Sequence, residues 1–267
     1  MEQLFEINGL MFWSEREIRL RRQFEDHFAS EMQNILLAEN PAWRFIQVDG
    51  PLLTPTANIN PNYTENDIWM QRHRSIVGLD ENDNITVKYE PELVLRPETT
   101  PSSYVYAQHL LNTHIGIKPP FVVWQSGKSF RREQDQVTKN MRLKEFYQQE
   151  FQCIYTADTK NDYHAAVLEP VRKMLAEMVG GKTRLVESDR LPSYSEITMD
   201  VEAQTESYVF ATENDKWLEI CSISRRTDFP EKARFQTKKG VVEKDLLVLE
   251  VAIGLDRCVY AFEQRSR

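Results

Sequence analysis

The sequence predicts an α+β protein in which strands alternate with a small number of amphipathic helices. Residues 14–39 and 162–178 place apolar side chains at helical spacing, which gives each segment one face for a core. Residues 197–205 alternate apolar and polar side chains, as a strand with one solvated face does. Residues 246–254 form an apolar strand that carries one acid, Glu250. A chain of 267 residues is long enough to bury one large core or two smaller ones.

The composition is that of a globular protein in a reducing compartment. Apolar residues make up 41% of the chain and charged residues 28%, and no apolar run approaches the roughly 20 residues that cross a bilayer. The chain begins with Glu2 and Glu6 where a signal peptide would be basic. The three cysteines stand singly in apolar stretches and the five histidines are scattered, so we expect buried thiols and no zinc site. These features predict a cytoplasmic protein with no membrane attachment.

The net charge of −8 limits how the protein can meet a nucleic acid. Proteins that bind mainly to phosphates usually carry a basic face, and this sequence contains no long block of lysine and arginine. Any contact with a nucleic acid is therefore expected to be local.

The first helix has recognisable ends. Ser14 followed by Glu17 forms a capping box, and Asn40-Pro41 stops the helix. A strand is predicted at residues 43–48. An amphipathic helix of this kind is usually part of the core.

A bend is predicted before the second helix. Pro97 disfavours a helix at Arg96 and holds Glu98 near the bend. We predict a short strand at residues 85–89 before it and a helix at residues 104–112 after it. A glutamate in such a place is also compatible with an ordinary turn.

The segment from Phe121 to Phe151 carries the clearest chemical pattern. An apolar strand, a charged run and a polar loop lead into a second strand. Side chains two apart on a strand share a face, so Arg131 would lie beside Glu133, and Phe146 beside a residue four further on, Glu150. A ring, a carboxylate and a guanidinium on one surface suit a base, an amine and a phosphate. The alternative is an exposed hairpin with ordinary charges.

The same segment resembles motif 2 of the class II aminoacyl-tRNA synthetases. Gly-Lys-Ser-Phe-Arg before the loop and Arg-Leu-Lys-Glu-Phe after it are most similar to glycyl-tRNA synthetase. The resemblance implies that Arg131 binds the α-phosphate of ATP, that Glu145 and Phe146 hold the adenine, and that Glu150 meets the substrate amino group. It also places Glu133 and Arg142 in the ATP site.

Two further stretches carry the resemblance. Arg96-Pro97-Glu98-Thr99 is similar to a glycyl-family tetrapeptide, which implies that Glu98 and Thr99 contact the amino acid. Residues 217–229 resemble the glycyl-family pattern Trp-x-Glu-x-x-Gly-Ile-Ala-x-Arg-Thr-Asp-Phe, which implies a role for Glu219 near ATP and its Mg²⁺. From alternation alone we expect Glu219 among apolar neighbours, where it needs a partner. The alternative role is a structural ion pair with Arg226.

Residues 246–257 resemble motif 3 of the same family. An apolar strand ends at Gly254, which opens a terminal helix with Arg257 in its first turn. Free N–H groups at a helix start favour phosphate. The resemblance implies that Arg257 binds the γ-phosphate and that Glu250 meets the amino group. Ala252 stands on the amino-acid side, where the family has serine.

Taken together, the resemblance implies a class II catalytic domain over residues 1–267. It has an antiparallel sheet flanked by helices, a helical excursion at about residues 155–190 and no anticodon-binding domain. Residues 14–55, a long helix that leads into a strand closed by proline, are similar to motif 1, which implies a homodimer.

The implied reaction is the formation of an aminoacyl-adenylate from ATP and a small amino acid, glycine or similar. Mg²⁺ assists, Arg131 and Arg257 act as the catalytic residues, and the product is passed to a tRNA acceptor stem. Thr100-Pro101, Ser222 and Ala252 depart from the glycyl pattern, so the amino acid could differ.

Two alternatives stay open. One is transfer of the activated amino acid to an acceptor other than tRNA. The other is a non-catalytic binding module, like the synthetase-derived accessory subunit of mitochondrial DNA polymerase. The retained arginines at positions 131 and 257 argue against the second, because a scaffold has no physical need for phosphate clamps.

Overall fold

We analysed a computed structural model of the chain. It describes residues 5–79, 85–114, 116–132, 141–188, 193–205, 217–229, 232–237 and 240–265. The strands are β1 (Phe5–Ile7), β2 (Leu10–Phe12), β3 (Arg44–Gln47), β4 (Leu53–Pro55), β5 (Trp69–Leu79), β6 (Ile85–Leu95), β7 (Phe121–Phe130), β8 (Glu145–Thr156), β9 (Thr183–Glu187), β10 (Ser195–Gln204), β11 (Trp217–Arg226), β12 (Lys232–Thr237) and β13 (Gly240–Gly254). The α-helices are α1 (Glu15–Glu39), α2 (Thr100–Thr113), α3 (Tyr163–Met178) and α4 (Leu255–Arg265).

An eight-stranded sheet organises the molecule. Its order is β3-β7-β8-β13-β11-β10-β9, with β12 paired to β13. The pairs are antiparallel except for β3, which runs parallel to β7. Smaller sheets hold β1-β2 and β4-β6-β5. The predicted α+β class, an antiparallel sheet flanked by helices, is confirmed.

The helices divide between the two faces of the large sheet. Alternate residues of β8 and β13, such as Phe151 and Val251, belong to a core that includes buried residues of α1, α3 and α4. The residues between them face the other way, where Ile154 and Val248 pack with α2 in a second core. Because strand side chains alternate, one strand serves both faces. Glu150 and Glu250 lie on the face that α2 covers.

The first helix begins and ends as the sequence predicts. Glu17 accepts a hydrogen bond from the Ser14 backbone N–H at 2.6 Å, and the Asn40 N–H is bonded to the carbonyl of Leu36. The predicted 162–178 helix also forms, with the Asp162 side chain accepting from the Ala165 N–H. These helix ends can be predicted from the sequence because the capping groups lie within one turn of the backbone groups to which they are hydrogen-bonded.

Several local predictions were wrong. The sequence predicts a connection over residues 184–192, whereas residues 183–187 form the edge strand β9, which pairs with β10. The strand predicted at 85–89 extends to Leu95, and its partner β5 was not predicted. Helix α2 begins at Thr100, four residues earlier than predicted, with a proline in its first turn. Proline suits that turn because its missing N–H would have no helical partner there.

None of the described helices combines the length and apolar character needed to cross a bilayer.

Candidate active site

A cleft of about 650 Å³ opens beside the strands that carry the predicted site residues. Most of the predicted residues line it: Glu98, Arg131, Arg142, Phe146, Glu150, Glu219, Glu250, Ala252 and Arg257. Thr99 and Glu145 are outside the lining. Thr99 donates a hydrogen bond to the lining residue Glu150, and Glu145 immediately precedes the lining residue Phe146. The predicted ATP-binding residue Glu133 lies outside the described residues. The structure thus brings together residues that are more than 150 positions apart in the chain.

Three glutamates meet at one end of the cleft. Glu150 lies on β8, and its cross-strand partner Ala252 is two residues from Glu250 on β13, so the two acids are diagonal neighbours on one face. Glu98 comes from the bend between β6 and α2. All three side chains are buried, with exposed fractions of 4% to 5%. We refer to Glu98, Glu150 and Glu250 as the acid pocket.

Hydroxyl and amide groups hold the acid pocket in place. The Glu150 carboxylate accepts from Thr99 Oγ1 at 2.5 Å and from Gln148 Nε2 at 2.6 Å. Glu250 Oε2 accepts from Gln152 Nε2 at 2.6 Å. These donors fix the direction of the carboxylates, since each donor is itself buried.

The two carboxylate oxygens of Glu98 differ in their hydrogen bonding. Its Oε2 is 3.3 Å from the Tyr63 hydroxyl. Within the described part of the chain, its Oε1 has no hydrogen-bond partner although it is buried. Buried polar atoms without partners are rare and costly. Because Glu98 lines the cleft, a cationic donor bound there would satisfy this atom.

Arg226 is a central residue that the sequence analysis did not assign to the site. Its Nη1 donates to Glu250 Oε2 at 2.7 Å, and its Nη2 lies 3.7 Å from Glu98 Oε1. Asp228 pairs with the same guanidinium at 2.6 Å, and the Tyr194 ring lies 4.0 Å from it. The signal was present in the Arg-Thr-Asp stretch of the resemblance.

Burial and the charges of neighbouring acids raise the pKa values of Glu98 and Glu150. Burial, together with the charges of Glu250 and Glu98, raises the pKa of Glu150 to about 8. Burial also raises the pKa of Glu98, although Arg226 opposes the shift. Burial lowers the pKa of Arg226, but facing groups, Glu250 first, raise it well above its usual value. The Arg226 guanidinium therefore stays charged, whereas Glu98 and Glu150 bind protons more readily than exposed glutamates do.

Arg96 supports the bend that presents Glu98. The buried guanidinium donates to the carbonyls of Gly50 at 2.8 Å and Lys128 at 2.9 Å, and to Gln125 Oε1 at 3.0 Å. Gln125 in turn donates to the Thr99 carbonyl at 2.9 Å. This network joins the bend to strand β7.

Aromatic and basic groups form the other part of the cleft. The Arg131 guanidinium lies 5.3 Å from the centre of the Phe146 ring, and its Nε donates to the Pro97 carbonyl at 3.1 Å. Glu145 pairs with Lys128 across the β7-β8 hairpin. Arg142 is exposed at the cleft margin. An arginine beside an open aromatic ring suits a base linked to a phosphate.

Glu219 differs from the prediction in burial and in partner. It is exposed, and it pairs with Arg257 at 3.2 Å, not with Arg226. Arg257 also donates to the Glu219 carbonyl at 3.0 Å. The β10-β11 register shifts between Val201 and Glu202, a bulge that interrupts simple alternation along β11. This explains why Glu219 turns away from its apolar neighbours.

The residues around Glu219 suit a hard cation that also binds phosphate. Asp200 lines the same cleft, and burial followed by the charge of Glu219 raises its pKa to about 6. Mg²⁺ in proteins is commonly held by one or two carboxylates together with substrate phosphates. The described residues contain no group of three or more metal-ligating side chains of their own.

A family model described as "tRNA synthetase class II core domain (G, H, P, S and T)" matches residues 85–265. The chain belongs to this family. The matched part of the class II core includes every predicted site residue from Glu98 to Arg257. Its sheet and cleft are therefore parts of a known architecture.

Relatives and solved structures agree with this assignment. The class II core is 30% identical to the glycine–tRNA ligase of Cutibacterium acnes over 63% of this chain and 37% of that protein. It is 26% identical to the glycine–tRNA ligase of Bifidobacterium longum over 79% of this chain and 43% of that protein. The chain thus spans less than half the length of these relatives.

The fold is similar to that of prolyl-tRNA synthetase from Cryptosporidium parvum, in a structure complexed with halofuginone and AMPPNP. The TM-score is 0.69 at 11% identity, over 97% of this chain and 48% of that one. At this identity the likeness concerns the fold alone.

Proposed function

We propose that this class II core uses ATP to activate a small amino acid, glycine or a close analogue, as an aminoacyl-adenylate and passes it to tRNA. The single observation that carries the proposal is the arrangement of the cleft. Three buried carboxyl groups meet at one end, and Arg131, Phe146 and Arg257 line the remainder. The relatives named glycine–tRNA ligases support the same reaction.

The acid pocket would bind the substrate ammonium group. Carboxylates gathered in a desolvated site repel one another, and a bound cation relieves that repulsion. Glu98 Oε1 accepts no hydrogen bond from the described residues, although Arg226 Nη2 lies 3.7 Å away, and therefore offers one acceptor. Glu150 and Glu250 offer others. Thr99 orients Glu150 through its 2.5 Å hydrogen bond.

The arginines would bind the two ends of the triphosphate. Arg131 beside Phe146 suits the α-phosphate of an ATP whose adenine stacks on the ring and is held also by Glu145, with Arg142 at the same cleft. Glu133, which the resemblance assigns to the ATP site, lies outside the described residues. Arg257 at the start of α4 suits the γ-phosphate. In the reaction, an oxygen of the amino-acid carboxylate bonds to the α-phosphorus while the bond to the β-phosphate oxygen breaks, and pyrophosphate leaves. Charge stabilisation and positioning supply the catalysis.

Glu219, with Asp200 beside it, would hold the Mg²⁺ that accompanies ATP. When bound, the metal neutralises charge on the phosphates. In the ligand-free protein Glu219 pairs with Arg257. Binding of ATP would therefore separate the two, with Arg257 turning to phosphate. The prolyl-tRNA synthetase of similar fold is complexed with AMPPNP, which supports ATP as the nucleotide of this cleft.

The floor of the cleft favours a small amino acid. Ser222 and Ala252 are cross-strand partners, and Ala252 is the partner of Glu150 on its other side. These short side chains adjoin the acid pocket, where the substrate's own side chain would lie. Ala252 and Ser222 leave room for glycine or slightly more.

The wider setting is also part of the proposal. We propose a homodimer formed through α1 and the strand after it, and a cytoplasmic location. The extent of the catalytic domain over residues 1–267, with its excursion at about 155–190, stays a prediction.

Amino-acid-dependent exchange of pyrophosphate into ATP tests the proposal. All twenty amino acids are compared, and glycine or another small one is expected to support exchange. Charging of tRNA is then measured separately. Exchange without charging would favour another acceptor, and folded protein that exchanges with no amino acid would favour a non-catalytic module.

Arg257→Ala should lower exchange by about 100-fold or more, since removing one charge-stabilising donor typically has that effect. Stability should change little because the Arg257 side chain is at the cleft surface. Arg184→Ala is the matched control: Arg184 also pairs with a glutamate, Glu202, but on the edge strand and outside the cleft. Equal exchange in both variants would remove Arg257 from the site.

A further inference from the structure

Thr100 occupies a position in the acid pocket that the proposed reaction does not use. The residue opens α2 and is buried. Its Oγ1 lies 2.9 Å from Glu150 Oε2 and 2.8 Å from Glu250 Oε2, so that one hydroxyl joins the two carboxyl groups. The same oxygen is 3.0 Å from Gln152 Nε2 and 3.3 Å from Arg226 Nη1.

The number of hydrogens decides what this geometry means. A hydroxyl carries one hydrogen, so Thr100 can donate to only one of the two carboxyl groups. The other short oxygen–oxygen contact is a hydrogen bond only if that carboxyl group carries a proton and donates to Thr100. Two charged carboxylates would leave one contact repulsive in a buried site.

Partners of the two acids indicate which one holds the proton. Glu250 is paired with the Arg226 guanidinium at 2.7 Å, which favours its charged form. Among the described residues, the hydrogen-bond partners of Glu150 are neutral: Thr99, Thr100 and Gln148. Burial and the neighbouring charges raise the pKa of Glu150 to about 8, in agreement with this order.

We propose that the acid pocket stores one proton on Glu150 and that binding of the substrate ammonium group releases this proton to the solvent. Protonated Glu150 donates a hydrogen bond to Thr100, and Thr100 donates in turn to charged Glu250. The proposal rests on the proposed function, since it concerns the same amine site. It makes Thr100 a positioning residue, and it makes amino-acid binding depend on pH.

Other charged and titratable groups face the same pocket. Arg226 and Asp228 face it from β11 and the residues after it, and Glu98 faces it from the bend before α2. Further groups that bear on the pocket electrostatically include Arg96, Arg131, Tyr63, Tyr104, Tyr194, Cys153 and Cys221. Arg96 acts on Glu150, but its guanidinium donates to the carbonyls of Gly50 and Lys128 and to Gln125. Arg226 already pairs with Glu98, Asp228 and Glu250, so its single charge is shared among three acids. This leaves Glu150 as the acid best placed to take a proton.

A carboxyl-carbon NMR titration of the free protein tests the stored proton. The Glu150 resonance is assigned by its loss in Glu150→Gln. In the wild type it should titrate more than two pH units above an ordinary glutamate at about 4.3. Titration of Glu150 in the ordinary range would overturn the proposal. No ligand is needed, so the result stands whether or not the proposed reaction is found.

Calorimetry with glycine as the probe tests the coupling. Binding enthalpies in two buffers of different ionisation enthalpy give the number of protons exchanged, and the wild type should release about one near neutral pH. Thr100→Val should release less than half as much. In that variant the charged carboxylates keep the hydrogen bonds donated by Thr99, Gln148 and Gln152. Protonated Glu150, in contrast, loses the Thr100 oxygen that accepts its hydrogen. Thr100→Ser, the matched control, should behave as the wild type.

Glycine binding without proton release in the wild type would overturn the proposal, as would equal release in the wild type and a folded Thr100→Val. Lack of glycine binding together with lack of exchange for any amino acid would instead contradict the proposed function, and the NMR titration would still decide the proton.

Discussion

At the scale of single residues, the site depends on acids placed where water cannot reach them. Each glutamate of the acid pocket is unfavourable in isolation, because burial opposes its charge. Neighbouring donors and Arg226 make the arrangement tolerable in the free protein. Under the proposed function, the same arrangement would select a cation, because a bound ammonium group supplies favourable charge interactions that burial removes.

Replacement of Glu150 by glutamine should change how stability depends on pH. The folded pKa of about 8 lies above that of an unfolded glutamate, so between the two values the folded state holds a proton that the unfolded state has lost. The free energy of unfolding of the wild type should therefore fall as pH rises from about 5 to about 8. Glu150→Gln resembles the neutral acid and should lack this component.

Urea unfolding across that pH range measures the effect. The control is Glu39→Gln, since Glu39 is exposed at the end of α1. If the free energy of unfolding has the same pH dependence in the wild type and in Glu150→Gln, then Glu150 is already charged near neutral pH and the expectation is wrong. In addition, Glu150→Gln should lose glycine-dependent exchange, because an amide does not replace the charge that attracts the amine.

At the scale of elements, the close approach of strand β7 to the Arg96 side chain positions the bend between β6 and α2. Strand β7 passes Arg96 at Gly127, where an added Cβ would lie 2.1 Å from Arg96 Nη2. Arginine ends are usually flexible, but this one is fixed by bonds to three neighbours, the Gly50 and Lys128 carbonyls and Gln125. Glycine at position 127 is therefore required by space.

Gly127→Ala should displace Arg96 and with it the bend that holds Glu98. We expect the free energy of unfolding to fall by about 1 to 3 kcal/mol, as at other overpacked sites. We also expect pyrophosphate exchange to need a higher glycine concentration to reach half of its maximal rate. Urea unfolding and exchange at varied glycine concentration measure the two effects. Ser126→Ala on the same strand is the control, since the Ser126 Oγ has no hydrogen-bond partner among the described residues. Gly127→Ala with wild-type stability and glycine requirement would contradict the role of this contact.

At the scale of the whole molecule, the cleft is a product of the sheet order. Strands β7, β8, β13 and β11 are neighbours in space although β9 and β10 come between them in sequence. A ligand that spans the cleft would bind to all of them together and would stabilise only the folded chain.

A stable analogue of the adenylate, glycylsulfamoyl adenosine, should raise the midpoint of thermal unfolding. At a concentration 100 times its dissociation constant, such a ligand adds about 2.7 kcal/mol. Adenosine alone should add much less because it reaches neither the acid pocket nor Arg131. Scanning calorimetry measures both. Equal stabilisation by the two ligands would indicate that the acid pocket does not take part in binding.

The sequence by itself determined the local features and predicted most of the residues that the structure brings together in the cleft. Helix α1 starts at its capping box, the strand that ends at Gly254 leads into α4, and the motif residues around Phe146, Glu150 and Arg257 were all readable, because periods, caps and motifs depend on neighbours in the chain. The length of β6 and the strand β9 were not readable, since pairing with a distant strand decides both.

Only the tertiary structure decided which charges face each other. Arg226 lies among acids from the bend before α2 and from β13, while Glu219 pairs with Arg257 from the next helix after β13. Electrostatic partners are fixed by distances across the sheet and by one bulge in β11, and neither quantity is encoded in the spacing along a single strand.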